Sequence, residues 1–352
     1  MSEIYCKAPW TSTTYMPGGK FTPCCSWGGD HFDSPEQVRD VVGGAFLRGE
    51  IPRECMNSCP PEREGWRKMF QHYPTDLTSI HVHFLDFRNN NLCNLKCRSC
   101  GPGFSTSWAS ELGQPVIHLH EEVELGDIDL SHCQQVYFAG GEPLLNPQHY
   151  QLLEKLIAAR VQPRILYSTN MTVLGYKNRH VKDYWPKFNH VNVNASIDAV
   201  GDIAEIVRSG TKWSTIEENI AWCKSQSHVQ LSYAPVISAI NIWWIDQLFD
   251  YLSQQQVTEH AFQPVLANPD GAEGLGLIPW EFRDSLIAKL ETAPHRHVNI
   301  DRAIDVLRTV DHTQAWWKFT ARQLMMDHVR GEGWFDRLPV QQQVYRKIFK
   351  YG

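Results

Sequence analysis

The stretch Asn91-Leu92-Cys93-Asn94-Leu95-Lys96-Cys97-Arg98-Ser99-Cys100 carries three thiols in a C-x3-C-x2-C spacing. It follows Ile80 to Phe87, a run of β-branched and aromatic residues that reads as a strand. Three thiolates converging in a loop after a strand suit a metal centre. A structural zinc site closes around four ligands, and His81 or His83 could supply the fourth. A four-iron, four-sulfur cube on three cysteines instead leaves one iron open to another ligand. Spacing alone leaves both readings standing.

Working outward, short β-rich runs recur at Gln135 to Ala139, Arg164 to Ser168, Val191 to Ile197, Val229 to Val236 and His260 to Val265. Helical patterns separate them. Asn146-Pro147 opens Gln148 to Arg160, and Ser214-Thr215-Ile216-Glu217 opens the run to Lys224. This alternation predicts an α/β fold built on a parallel sheet. Upstream, residues 1–75 hold five cysteines and a capping-box helix start at Ser34-Pro35-Glu36-Gln37, and read as a small metal-stapled module. Downstream, a Gly-rich segment at Asn268 to Gly276 leads to helical patterns at Pro279 to Thr292 and Asp301 to Val329, then an aromatic, basic tail.

The second strand runs through Val136-Tyr137-Phe138-Ala139 directly into Gly140-Gly141-Glu142-Pro143. Together with the triplet, in this order and strand context, the turn resembles the radical S-adenosylmethionine (SAM) superfamily. That resemblance implies a partial (β/α)6 TIM-like barrel at 78–266, which the residue patterns flank with a small N-terminal cysteine-rich module at 1–75 and a helical C-terminal extension at 267–352. It also implies a 4Fe-4S cluster on Cys93, Cys97 and Cys100, with S-adenosylmethionine on the open iron, cleaved reductively to a 5'-deoxyadenosyl radical. Ser99 stands where the family usually has an aromatic residue packing on the adenine.

The resemblance extends to the cofactor's contacts. Gly140, Gly141, Glu142 and Pro143 would hold its methionine end, with the Glu142 carboxylate accepting from the amino group. Ser196 and Arg208 would bind the methionine carboxylate, for which the planar guanidinium fork is suited, and Asp198 the ribose hydroxyls. Asn170, after the third strand, joins the set. All lie at the carboxyl ends of strands, where α/β sheets bind ligands. Taken by itself, Arg208 could instead be a surface cation paired with Asp202 or Glu205.

Cys6, Cys24, Cys25, Cys55 and Cys59, with Gly19 five residues before Cys24, resemble the auxiliary-cluster modules called SPASM and Twitch. There the module follows the barrel and the close pair is usually Cys-x2-Cys; here it precedes the barrel and the pair is Cys-x3-Cys. The expected ligands of an auxiliary 4Fe-4S cluster are Cys6, Cys24, Cys55 and Cys59. Four thiolates also make a zinc site. Cys25, Cys133 and Cys223 are left over, as free buried thiols or as a hydrogen-atom donor.

Composition narrows the partners. With 33 Lys and Arg against 39 Asp and Glu, the formal charge is -6, which disfavours nucleic acid as a main partner. No apolar run is long enough to span a membrane and no signal-peptide pattern is present, so a cytoplasmic chain is expected, where ten cysteines point to metal chemistry rather than disulfides. The enzyme reading predicts hydrogen abstraction from a peptide or small polar substrate, leading to dehydrogenation, cross-linking or epimerisation, and an electron donor such as flavodoxin or ferredoxin. The alternative is a non-enzymatic iron-sulfur or zinc protein with a structural or electron-transfer role.

Overall fold

A computed structural model describes residues 4–60, 67–114, 128–268 and 271–339. Its centre is a seven-stranded sheet of β1 (Ser12–Met16), β2 (Lys20–Thr22), β3 (Phe84–Phe87), β4 (Gln135–Phe138), β5 (Arg164–Thr169), β6 (Val191–Ala195) and β7 (Val229–Tyr233). In space the order is β7-β6-β5-β4-β3-β1-β2, every neighbouring pair being parallel except the β1–β2 hairpin. Among the described residues the sheet keeps two edges and does not close into a barrel. The fold class is therefore α/β with a mostly parallel sheet, as the strand and helix alternation predicted.

Side-chain alternation gives the sheet two unlike faces. Leu85, Val136, Phe138, Ile165, Tyr167, Val191 and Val193 are fully inaccessible and pack with Leu152, Leu153 and Leu156 of the helix Pro147–Ala158. The opposite face carries Asp86, Arg88, Tyr137, Ser168, Asn194 and Ser232. There Arg88 grips Asp86 through two hydrogen bonds of 2.8 and 2.7 Å, Tyr137 meets Ser168 at 2.7 Å, and Ser232 donates to Asn194 at 3.0 Å. A parallel sheet is usually apolar on both faces, so this polar lining marks a ligand-facing surface.

Three expectations are corrected. The run His260 to Val265 is not one regular strand but does line up in parallel beside the end of β7: Glu259–Ala261 is a 3-10 turn, Phe262 bridges Tyr233, and Val265–Leu266 pairs with Val236–Ile237 just beyond. Pro264 sits inside that run at a position that needs no N–H, the donors being Gln263 and Val265, which reach Tyr233 O and Pro235 O at 2.8 Å each. The helix expected from Ser214 begins at Trp213, whose N–H donates to Glu205 at 2.8 Å, so the cap comes from the preceding helix's carboxylate rather than from Ser214. The N-terminal segment also contributes β1 to the sheet: Thr14 stands in register with Asp86, and His81 and His83 donate backbone N–H groups to Trp10 and Thr11. Two predicted starts hold: Ser34 accepts from Gln37 N, and Asn146 from Gln148 N. Of the aromatic, basic tail, residues 340–352 lie outside the described residues.

Candidate metal and cofactor site

Cys93, Cys97 and Cys100 lie in the loop after β3, with Lys96–Cys97 paired to Arg208–Ser209 in a short antiparallel ladder. The Gly-Gly-Glu-Pro turn is locked onto this loop, Gly141 N donating to Asn90 O at 3.3 Å and Glu142 N to Leu92 O at 2.6 Å. A Cβ at Gly141 would stand 2.2 Å from Leu92 O, and one at Gly140, where φ is +110°, 2.8 Å from Asn90 O. The close approach that these glycines permit is therefore, first of all, to the triplet's own loop.

Glu142 is fully buried. Its carboxylate accepts from Leu144 N at 3.1 Å, Thr169 Oγ1 at 2.8 Å and Asn170 N at 2.7 Å. It thus ties the β4 turn to the end of β5. Burial pushes its carboxyl up to about 7, against the pull of these donors. Pro143 opens the 3-10 turn Pro143–Leu145 that Glu142 caps. Asn170 turns its Nδ2 towards Cys93 Sγ at 3.9 Å and Asn94 Oδ1 at 3.1 Å.

Arg208 donates its Nε to Asp198 at 2.8 Å and turns Nη1 towards Cys97 Sγ at 3.9 Å. The surface pairings are taken elsewhere: Asp202 pairs with Arg337, and Glu205 caps Trp213. Asp198 is buried and also accepts from Val236 N at 2.8 Å, so both of its oxygens are engaged within the protein, a use that the strand-end position did not disclose. Ser196 is half-buried at the end of β6, its N–H bonded to Thr169 O. The structure thus brings Asn170, Asp198 and Arg208 to the triplet.

The donor set suits a metal cluster. Burial pushes Cys93 up to about 11 and Cys97 to about 12, and raises Cys100. Thiols so buried ionise only against strong positive charge. Arg208 supplies part of it, acting on all three, and iron would supply the rest. Glu273, which the sequence reading did not single out, also belongs here: its charge is felt by Cys100, it feels that of Asp198, it pairs with Arg322 at 3.6 Å, and burial pushes it up to about 6.

In the N-terminal segment, Cys6, Cys24, Cys55 and Cys59 line one small cavity with Tyr5, Trp27, Arg67 and Phe70. Cys25 does not line it; its thiol feels the charges of Asp86 and Arg88 on the polar face of the sheet. Burial raises Cys6 to about 11 and Cys55 to about 12, with neighbouring cysteines adding to each. Cys133 and Cys223 are buried in the core. Among the described residues, no three His, Cys, Asp or Glu side chains are placed to hold a single metal ion, and no helix is long and apolar enough to cross a membrane.

Known proteins share parts of this chain. A curated GTP 3',8-cyclase of Streptomyces coelicolor is 32% identical over 111 residues, 31% of this chain and 30% of that protein. The chain therefore spans less than a third of that relative's length. Two solved structures, "Native anSMEcpe with bound AdoMet" and a histidine-tagged form of anSMEcpe with bound AdoMet, align at TM-scores of 0.39 and 0.42 with 18% and 17% identity. They cover 52% and 58% of this chain and 51% and 57% of theirs. Residues 90–252 match the family model of the Radical SAM superfamily, and the triplet, the Gly-Gly-Glu-Pro turn, Asp198 and Arg208 all lie inside that span.

Proposed function

We propose that the chain is a radical SAM enzyme with two iron-sulfur clusters, one on Cys93, Cys97 and Cys100 and an auxiliary one on Cys6, Cys24, Cys55 and Cys59. The observation that carries the reading is the convergence of Asn170 and the Arg208–Asp198 pair on the triplet thiols at the carboxyl ends of the strands. When bound, the cluster and S-adenosylmethionine supply an electron and a carbon radical strong enough to take hydrogen from an unactivated C–H bond.

The chain's own residues have separable tasks in this reading. Arg208 keeps positive charge beside the thiolates and has N–H groups left for a carboxylate; burial opposes its charge, and Asp198, Cys97 and Cys93 together outweigh burial. Glu142 fixes the turn through three hydrogen bonds and keeps lone-pair capacity for a further donor such as an amino group. Ser196, Gly140, Gly141 and Pro143 shape the mouth. In the N-terminal segment the four thiols line one small cavity, which supports a shared metal site there.

The polar face of the sheet supports a substrate of mixed donor and acceptor character and low net charge, a peptide or a small polar molecule, because the Arg88 cation on that face is already neutralised by Asp86. An electron donor such as flavodoxin or ferredoxin completes the cycle, in a cytoplasmic setting. Anaerobic reconstitution followed by iron and sulfide analysis, with dithionite-driven formation of 5'-deoxyadenosine, tests the reading. About eight irons per chain are expected for two cubes, falling by half, with loss of product, in Cys93→Ala/Cys97→Ala/Cys100→Ala. Four irons with one zinc would limit the reading to a single cluster, and no deoxyadenosine from fully loaded protein would overturn it.

A further inference from the structure

Between the second and third cysteines of the triplet stands Arg98, a residue with 0% exposure. Its backbone N–H donates to Val207 O at 2.9 Å and its Nε to Ile206 O at 3.1 Å. Its Nη1 reaches Gln323 O and Oε1 at 3.3 and 3.2 Å, and its Nη2 reaches Asp327 and, at 2.6 Å, Glu332. Every nitrogen of the guanidinium is thus engaged, three of its partners lying more than 200 residues away in the helix Trp316–Arg330 and the turn after it. Asp327 in turn accepts from the N–H groups of Trp334 and Phe335, which fixes that turn.

The flanking residues are held from the same side. Arg330 donates to Lys96 O at 2.9 Å and to Glu111, and lies over the Trp108 ring at 4.4 Å, while Trp108 Nε1 donates to Cys97 O at 2.8 Å. Lys96, Cys97 and Arg98 are therefore each gripped by a network anchored in one distant helix. A buried ion pair is a poor device for stability alone, since desolvation offsets much of its attraction. What a guanidinium provides is a rigid planar fork that sets geometry.

We propose that Arg98 is a positioning residue for the triplet, and that the helix Trp316–Arg330 with its following turn is a built part of the cluster site. Arg98 ligates nothing; it fixes the backbone between Cys97 and Cys100 so that their thiols meet the same cluster. The proposal rests on the cluster reading above. It makes iron binding at the triplet and order in a segment more than 200 residues away two sides of one equilibrium.

The test is hydrogen–deuterium exchange on the full chain before and after anaerobic reconstitution with iron and sulfide. Protection of residues 320–335 is expected to rise on loading in the wild type and not in Cys93→Ala/Cys97→Ala/Cys100→Ala. In parallel, Arg98→Lys and the milder Glu332→Gln are expected to release triplet iron to a chelator about 10–100-fold faster, with iron at the N-terminal cysteines unchanged as an internal control for folding. Unchanged protection on loading would overturn the proposal. So would Arg98→Lys protein that retains triplet iron like the wild type and gives the same electron paramagnetic resonance spectrum when reduced. A wild-type chain whose triplet takes up no iron would remove the cluster reading itself and this proposal with it.

Discussion

Gly141→Ala is the substitution whose effect follows most directly from the packing of the turn on the cysteine loop. The added Cβ would stand 2.2 Å from Leu92 O and 2.7 Å from Asn91 C. Both are backbone atoms of the loop that leads into Cys93, so no side chain can swing aside. Relief requires the turn and the loop to part by about 1 Å, which breaks the hydrogen bond from Glu142 N to Leu92 O. Overpacking of this kind costs about 1–3 kcal/mol, and the lost bond about 1 kcal/mol more. The sum, roughly 2–4 kcal/mol, corresponds in a chain of this size to a fall in Tm of about 3–6 °C. Gly101→Ala is the matched control: it lies in the same loop with nothing within 4 Å of its Cβ position, and its Tm should move by less than about 1 °C. Scanning calorimetry of apo protein and iron analysis after reconstitution read both effects, with triplet iron expected to fall only in Gly141→Ala. Gly141→Ala protein that melts and loads like Gly101→Ala would refute the claim that the turn and the cysteine loop are fixed against each other.

Two further outcomes follow from the same geometry. Glu142 has its carboxyl pushed up by burial to about 7, from an ordinary 4.5; a raised folded value means that the folded state holds the proton more tightly, so the stability from this group is full below pH 4.5 and is lost as pH rises through 7. The apo protein should lose about 3 kcal/mol over that window, and Glu142→Gln should flatten the pH dependence of its urea midpoint; an unaltered slope would show that the group titrates normally. In the N-terminal segment, Cys55→Ser should lose the auxiliary iron, whereas Cys25→Ser should keep it, because Cys55 lines the cavity and Cys25 faces Asp86; equal iron loss in both would place Cys25 among the ligands.

What the sequence discloses and what it hides divide along the range of the interactions. The triplet and the Gly-Gly-Glu-Pro turn are local patterns attached to strands, and β3 to β7 are found within a few residues of their predicted positions. Arg208 was visible as a candidate, but its partner Asp198 depends on how the helix Gly201–Val207 folds the chain back over ten residues. The grip on Arg98 was invisible, since nothing near it in sequence suggests Gln323, Asp327 or Glu332. Ser12–Met16 was also missed as a strand: it is short, and its polar Ser-Thr-Thr run carries no alternation. Its residues are buried all the same, the Ser12, Thr13 and Thr14 hydroxyls without a hydrogen-bond partner among the described residues, and what holds the strand is backbone pairing with the edge of β3, which sequence reading cannot see.

The placement of β1 bears on how the protein is made. β1 leaves the ribosome before its parallel partner β3, which is encoded about 70 residues later. At usual synthesis rates that is a wait of roughly 4–14 seconds. During it Cys24, Cys25, Cys55 and Cys59 are added one after another, beside a strand with no sheet yet to join. Assembly of their site is therefore a late event, gated by the arrival of β3. Conversely, a shortened protein begun at β3 would present that strand's backbone as a new, unguarded sheet edge, the kind of surface on which chains aggregate.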